Sequence, residues 1–190
     1  MQREEVTGLI LAGGASRRFG TDKARFPIEG RPMIARVYEA VAEVVGTVLL
    51  SVGDRDGADL GLPVPSLVDR VPGAGPLAGL HAGLHAAATP WLLVVACDMP
   101  FLTPGVLRSL LDQATSGTAA VVAQSEDGRL QPLCACYHAS VLPRVEAHLH
   151  ADRRAMWDLL EHLDLVRHVL LPTAPLRNIN HRTDLDAEAQ

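Results

Sequence analysis

The sequence predicts an α/β domain, a Rossmann-like three-layer sandwich with a mostly parallel central sheet. Three observations carry that prediction. Short apolar runs of strand length alternate with segments of helical period along the chain. The two most apolar runs, Val6 to Ala12 and Trp91 to Ala96, are continuous, as in parallel strands buried on both faces. The length of 190 residues suits one domain, which at that size buries roughly 70% of its unfolded surface. No internal repeat, low-complexity tract or linker divides residues 1–190.

The first strand, Val6 to Ala12, stops at Gly13 and Gly14. Pro32 suits the first turn of a helix, where its missing N–H costs nothing. The spacing of Ile34, Val37, Val41, Val44 and Val45 then follows one helical face. Thr47 to Val52 reads as the second strand and Ser66 to Val68 as a short third. Pro76 to Ala88 reads as a helix rich in Leu and Ala, and Trp91 to Ala96 as the strand that delivers Cys97-Asp98-Met99-Pro100. Thr103 is placed to cap a helix beginning at Pro104. Ala119 to Ala123 and Leu130 to Tyr137 read as strands, Val141 to Leu149 and Arg153 to Leu163 as helices. Asp152 is placed to cap the second of these. Leu165 to Leu171 is a late strand, followed by the loop Arg177-Asn178-Ile179-Asn180 and a short helix.

Composition narrows the function. The net charge of −5 disfavours a general nucleic-acid role. A substrate carrying phosphates must therefore be met by local cationic groups. No apolar run approaches the roughly 20 residues needed to span a bilayer. The charged N-terminus does not read as a secretory signal, so a cytoplasmic protein without membrane partners is expected. Cys97, Cys134 and Cys136 do not suggest a disulfide framework and read as reduced structural residues.

Open α/β sheets bind ligands at the carboxyl ends of their strands. After the first strand comes Leu11-Ala12-Gly13-Gly14-Ala15-Ser16-Arg17-Arg18-Phe19-Gly20-Thr21-Asp22-Lys23. Its glycines permit a sharp turn and close backbone approach. Successive N–H groups in such a loop can cradle phosphate oxygens. Arg17, Arg18 and Lys23 concentrate positive charge there in an otherwise acidic chain. The Walker loop and the dinucleotide fingerprint both fail on spacing. The residues alone point to polyphosphate binding of unspecified type.

The run LAGGASRRFGTDK closely resembles the signature L-A-G-G-x-S-x-R-M-G-x-D-K of the MobA-type molybdenum cofactor guanylyltransferases. Arg18 and Lys23 fall on its basic positions, and Phe19 replaces the usual methionine. Gly75-Pro76-Leu77-Ala78-Gly79, Cys97-Asp98-Met99-Pro100, Gln131-Pro132-Leu133 and Asn178-Ile179-Asn180 resemble further family motifs in the same order. The resemblance implies a fold of the nucleotide-diphospho-sugar transferase type. It also implies transfer of GMP from Mg·GTP to molybdopterin, with carrier or acceptor enzymes of the molybdenum cofactor as further partners. Related cytidylyltransferases, another nucleotidyltransferase on the same fold, and a non-catalytic GTP-binding adaptor are the alternative readings.

Residue by residue, the resemblance implies nucleotide binding by Leu11, Ala12, Gly13, Gly14, Lys23, Ser51, Asp69 and Asp98. It implies catalytic roles for Arg18, Lys23 and Asp98, and Mg²⁺ ligation by Asp98 and Asn180. Ser51 stands where relatives carry Asn, so a nucleotide contact there is expected to be lost or water-mediated. Asp69 reads equally as a turn residue before Pro72, and the Gly75–Gly79 segment equally as a helix-packing motif. Arg153 and Arg154 open a helix as a contact for the second substrate's phosphate or as a solvated face; Gln131 to Leu133 would line the pterin side. His81 and His85 share a helical face, but no third metal ligand is evident; His148 and His150 read as solvated at a helix end.

Overall fold

The computed structural model describes residues 2–13, 23–53, 57–181 and 183–186. In chain order the strands and helices are β1 (Val6–Leu11), β2 (Pro27–Ile28), β3 (Arg31–Pro32), α1 (Met33–Ala42), β4 (Thr47–Ser51), β5 (Ser66–Leu67), α2 (Pro76–Ala86) and β6 (Trp91–Ala96). They continue as α3 (Pro104–Leu111), β7 (Ala120–Ser125), β8 (Leu130–His138), α4 (Leu142–His150), α5 (Met156–Glu161), β9 (Val166–Leu171) and α6 (Thr183–Asp186). Seven strands form one sheet in the order β5-β4-β1-β6-β8-β7-β9. Only β8 runs antiparallel to its neighbours, so the sheet is mostly parallel.

Every residue of β1 and β6 is buried, which explains their unbroken apolar sequences. The pleat divides their side chains between two cores. Ile10, Leu50, Leu93, Val95, Val121 and Cys136 face α1 and α3. Leu9, Leu49, Leu92, Val94, Val122 and Tyr137 face α2, α4 and α5. The three-layer sandwich expected from the sequence follows from this division. Truncating one fully buried leucine, such as Leu93, costs about 2–5 kcal/mol.

Cys134 and Cys136 alternate on β8 and are fully buried in the first core. Burial pushes the Cys134 thiol up to about 12 and raises that of Cys136 as well, so both behave as small apolar side chains.

Two local expectations are corrected. The hairpin of β2 and β3 lies before α1, turning through Glu29 and Gly30 at φ 50° and 78°. Pro32 consequently ends β3 and flanks the helix at its N-cap. The second correction concerns Asp152, which does not cap α5. It adopts φ 55° and terminates α4. Its N–H donates to the Leu149 carbonyl at 3.1 Å, and the Arg153 N–H donates to the His148 carbonyl at 2.9 Å. Those two bonds are the reciprocal pair that closes a helix through a left-handed residue. Arg153 and Arg154 therefore lie in a connection, and α5 begins only at Met156.

Candidate active site

The sheet order reverses direction between β1 and β6, the switch point where open α/β sheets form a crevice. Asp98 lies two residues beyond β6, where the Cys97 N–H still donates to the Leu11 carbonyl at 3.0 Å. Lys23 opens a 3-10 turn whose Ala24 is buried in the core shared with α1. The Lys23 ammonium lies 2.8 Å from Asp98 Oδ2 and 2.8 Å from Asn180 Oδ1. These partners come from positions 75 and 157 residues distant in the chain.

Asn180 is held in place by its neighbours. Ile179 is fully buried against Ile28 and Met33, and its N–H donates to the Asp98 carbonyl at 2.8 Å. Asp184 accepts from the backbone N–H groups of Asn180 and His181 at 2.7 and 2.8 Å. Those bonds, that of His181 foremost, hold the Asp184 carboxyl below the ordinary carboxylate range. Asp184 was not among the residues singled out from the sequence. Its signal was a carboxylate four residues after Asn180, at the opening of a short helix.

The chemistry of this cluster is that of a cation site. Asp98 Oδ2 and Asn180 Oδ1 already converge on a positive charge. Among the described residues Asp98 Oδ1 is buried with no hydrogen-bond partner. An orphaned buried acceptor costs about 1–3 kcal/mol, which a cation would recover. Carboxylate and amide oxygens are the donors that a hard divalent ion selects. The residues present therefore fit such an ion.

A second polar pair lies at the end of β4. Ser51, only 2% exposed, donates from Oγ to Asp69 Oδ1 at 3.2 Å. The Asp69 N–H donates to the Gly53 carbonyl at 2.9 Å. Ser51 is thus held behind Asp69 and uses its single donor to orient that carboxylate. Gly13 lies against the same segment: a Cβ there would meet the Gly53 nitrogen at 2.8 Å. Leu11 and Ala12 are buried at the end of β1, and the Ala12 N–H donates to the Ser51 carbonyl at 2.8 Å. Gly14, Arg17, Arg18 and Asp22 lie outside the described residues.

Other expectations divide. Gly79 of α2 packs directly onto the strand ends: a Cβ there would meet Leu11 Cδ2 at 2.6 Å and Ser51 Oγ at 2.7 Å. Arg154 donates to the Gly73 carbonyl at 2.8 Å and to Asp152 Oδ1 at 2.7 Å, tying the connection after α4 to the loop before α2. Pro132 is buried on β8, where its carbonyl accepts from the Tyr137 hydroxyl at 2.8 Å. His150 is exposed, but His148 is not solvated: it is 2% exposed, and its Nδ1 lies 2.9 Å from the Arg144 carbonyl. His81 and His85 do have a third potential ligand, Glu146 of α4. Among the described residues no helix is long and apolar enough to cross a membrane.

Fold and site together define a nucleotidyltransferase. The chain belongs to the family of the MobA-like NTP transferase domain, whose model matches residues 8–168. It is 41% identical over 150 residues to a probable molybdenum cofactor guanylyltransferase of Pelotomaculum thermopropionicum, covering 78% of this chain and 71% of that protein. It is 34% identical over 190 residues to the probable molybdenum cofactor guanylyltransferase of Mycobacterium tuberculosis, covering 97% and 94%. The structure of molybdopterin-guanine dinucleotide biosynthesis protein A from Archaeoglobus fulgidus superposes with a TM-score of 0.79 at 25% identity, covering 95% of each chain.

Proposed function

We propose that this chain, acting as a single nucleotidyltransferase domain over residues 1–190, transfers GMP from Mg·GTP to molybdopterin. The products are the guanine dinucleotide form of the cofactor and pyrophosphate. The observation that carries the reading is the convergence of Lys23, Asp98 and Asn180 at the switch point, with an Asp98 oxygen beside them that has no partner among the described residues. The names of its relatives supply the choice of substrates.

A terminal phosphate oxygen of molybdopterin forms a bond to the α-phosphorus of GTP. The bond from that phosphorus to the α–β bridging oxygen breaks, and its electrons leave with pyrophosphate. Lys23 and Arg18 neutralise charge on the departing pyrophosphate, and the N–H groups of Gly13 and Gly14 hold phosphate oxygens. Asp98 and Asn180 would hold Mg²⁺, which when bound would supply charge neutralisation to the phosphate oxygens. Asp69, oriented by Ser51, contacts the nucleotide. The attacking phosphate is already ionised, so no side chain need act as a strong base. Positioning and electrostatics carry reactions of this kind.

Incubation with GTP, Mg²⁺ and molybdopterin tests the reading. Pyrophosphate release should require molybdopterin, and mass spectrometry should find GMP joined to it. GTP binding without acceptor-dependent pyrophosphate release would instead identify a non-catalytic adaptor.

A further inference from the structure

We propose that His81, His85 and Glu146 form a binding site for a borderline divalent transition ion such as Zn²⁺, joining α2 to α4. His81 and His85 stand four residues apart and share one face of α2. Glu146 projects from α4, which packs on α2. The donor atoms form a closed triangle. His81 Nε2 and His85 Nε2 are 3.1 Å apart, and Glu146 Oε1 lies 3.3 Å from His85 Nε2 and 3.7 Å from His81 Nε2.

Those separations are the ones a tetrahedral ion imposes. Bonds of about 2.0–2.1 Å at tetrahedral angles space their donors about 3.3–3.4 Å apart. The three distances bracket that value, and an ion about 2.1 Å from all three atoms sits just outside their plane, which leaves a fourth position open. Two imidazoles and one carboxylate suit zinc, with a fourth position left for water. His81 is the buried base of the site, while His85 and Glu146 are partly exposed, leaving an entry path. Burial, foremost, and the neighbouring His85 and Arg70 lower the pKa of His81 against the opposing pull of Glu146.

A second histidine cluster shows what a structural arrangement looks like. His148, Asp158 and His162 also gather within ligand range of one another. There the ring nitrogens are already engaged: His148 with the carbonyls of Arg144 and Asp158, and His162 with the Asp158 carbonyl at 2.7 Å. Arg153 adds a cation 3.4 Å from His162 Nε2. In the first cluster the three donor atoms face one another, and among the described residues no backbone carbonyl engages either imidazole. Among the described residues His81 Nδ1 is buried without a hydrogen-bond partner. A metal-bound imidazole ordinarily donates from its other nitrogen, so affinity in the micromolar range is expected, below that of a fully supported site.

The test uses the full chain, stripped of metal with a chelator. Zn²⁺ is titrated against a chromophoric competitor, and Co²⁺ is added separately to read geometry from its visible absorption. Wild type should bind one equivalent, give the intense absorption of tetrahedral Co²⁺, and unfold at a higher temperature with Zn²⁺ than without. His85→Ala and Glu146→Gln, both at partly exposed positions, should lose that equivalent and the Zn²⁺-dependent thermal shift with unchanged circular dichroism. His162→Ala should keep both. Absence of a bound equivalent in wild type, or binding that survives His85→Ala and Glu146→Gln, would overturn the assignment. So would loss of the equivalent in His162→Ala alone.

Discussion

Two polar clusters in this molecule are built in opposite ways. Lys23, Asp98 and Asn180 come from a 3-10 turn and two separate connections and meet because the sheet brings the ends of β1 and β6 together. His81, His85 and Glu146 sit on helices, two of them on one turn of α2. The first cluster depends on the whole parallel core, from the buried strands to Ile179 beneath Asn180. The second depends on one helix pair. The difference separates two kinds of site: one whose geometry is the fold itself, and one set by the packing of two helices. Damage to the first should appear in turnover, and damage to the second in metal content and stability.

The comparison is broken most severely by Asp98→Asn. It should lower turnover about 10²–10³-fold, as the loss of an electrostatic catalytic group does, while leaving the circular dichroism spectrum unchanged. Lys23→Ala follows, removing charge-assisted bonds of about 1.5–3 kcal/mol. Calorimetric titration should show GTP affinity about tenfold to a hundredfold weaker. Gly79→Ala forces a methyl against Leu11 and Ser51, and urea unfolding should record a loss of about 1–3 kcal/mol. Ser51→Ala frees Asp69 of one bond and should cost about 1 kcal/mol in kcat/KM for the nucleotide, chiefly through KM. The smallest effect is a silence: at pH 8 a thiol reagent should leave Cys134 and Cys136 unmodified in the native protein and react with both after denaturation.

Much of the fold was legible because the strongest signals were local. Continuous apolar runs marked β1 and β6, and Thr103-Pro104 marked the start of α3, where the Val106 N–H donates to Thr103 Oγ1. The start of α5 was not legible. Asp152 precedes a charged, helix-compatible stretch, and only the tertiary course of the chain decides whether it opens one helix or closes another. The resemblance placed Lys23, Asp98 and Asn180 in one site, but their direct pairing was not legible, since no spacing rule joins residues so distant. Ser51 was named as a nucleotide contact, but its burial behind Asp69 depends on the short β4–β5 pairing, which sequence periodicity does not register. Glu146 escaped notice because the i,i+4 rule that groups His81 with His85 stops at the end of α2.

The central claim is guanylyl transfer at the Lys23–Asp98–Asn180 cluster, and nucleotide choice tests it most directly. Initial rates of molybdopterin-dependent pyrophosphate release should be measured with GTP and with CTP at equal concentration. The account predicts release with GTP and a much slower rate with CTP. A higher rate with CTP would contradict it and assign the same scaffold to cytidylyl transfer.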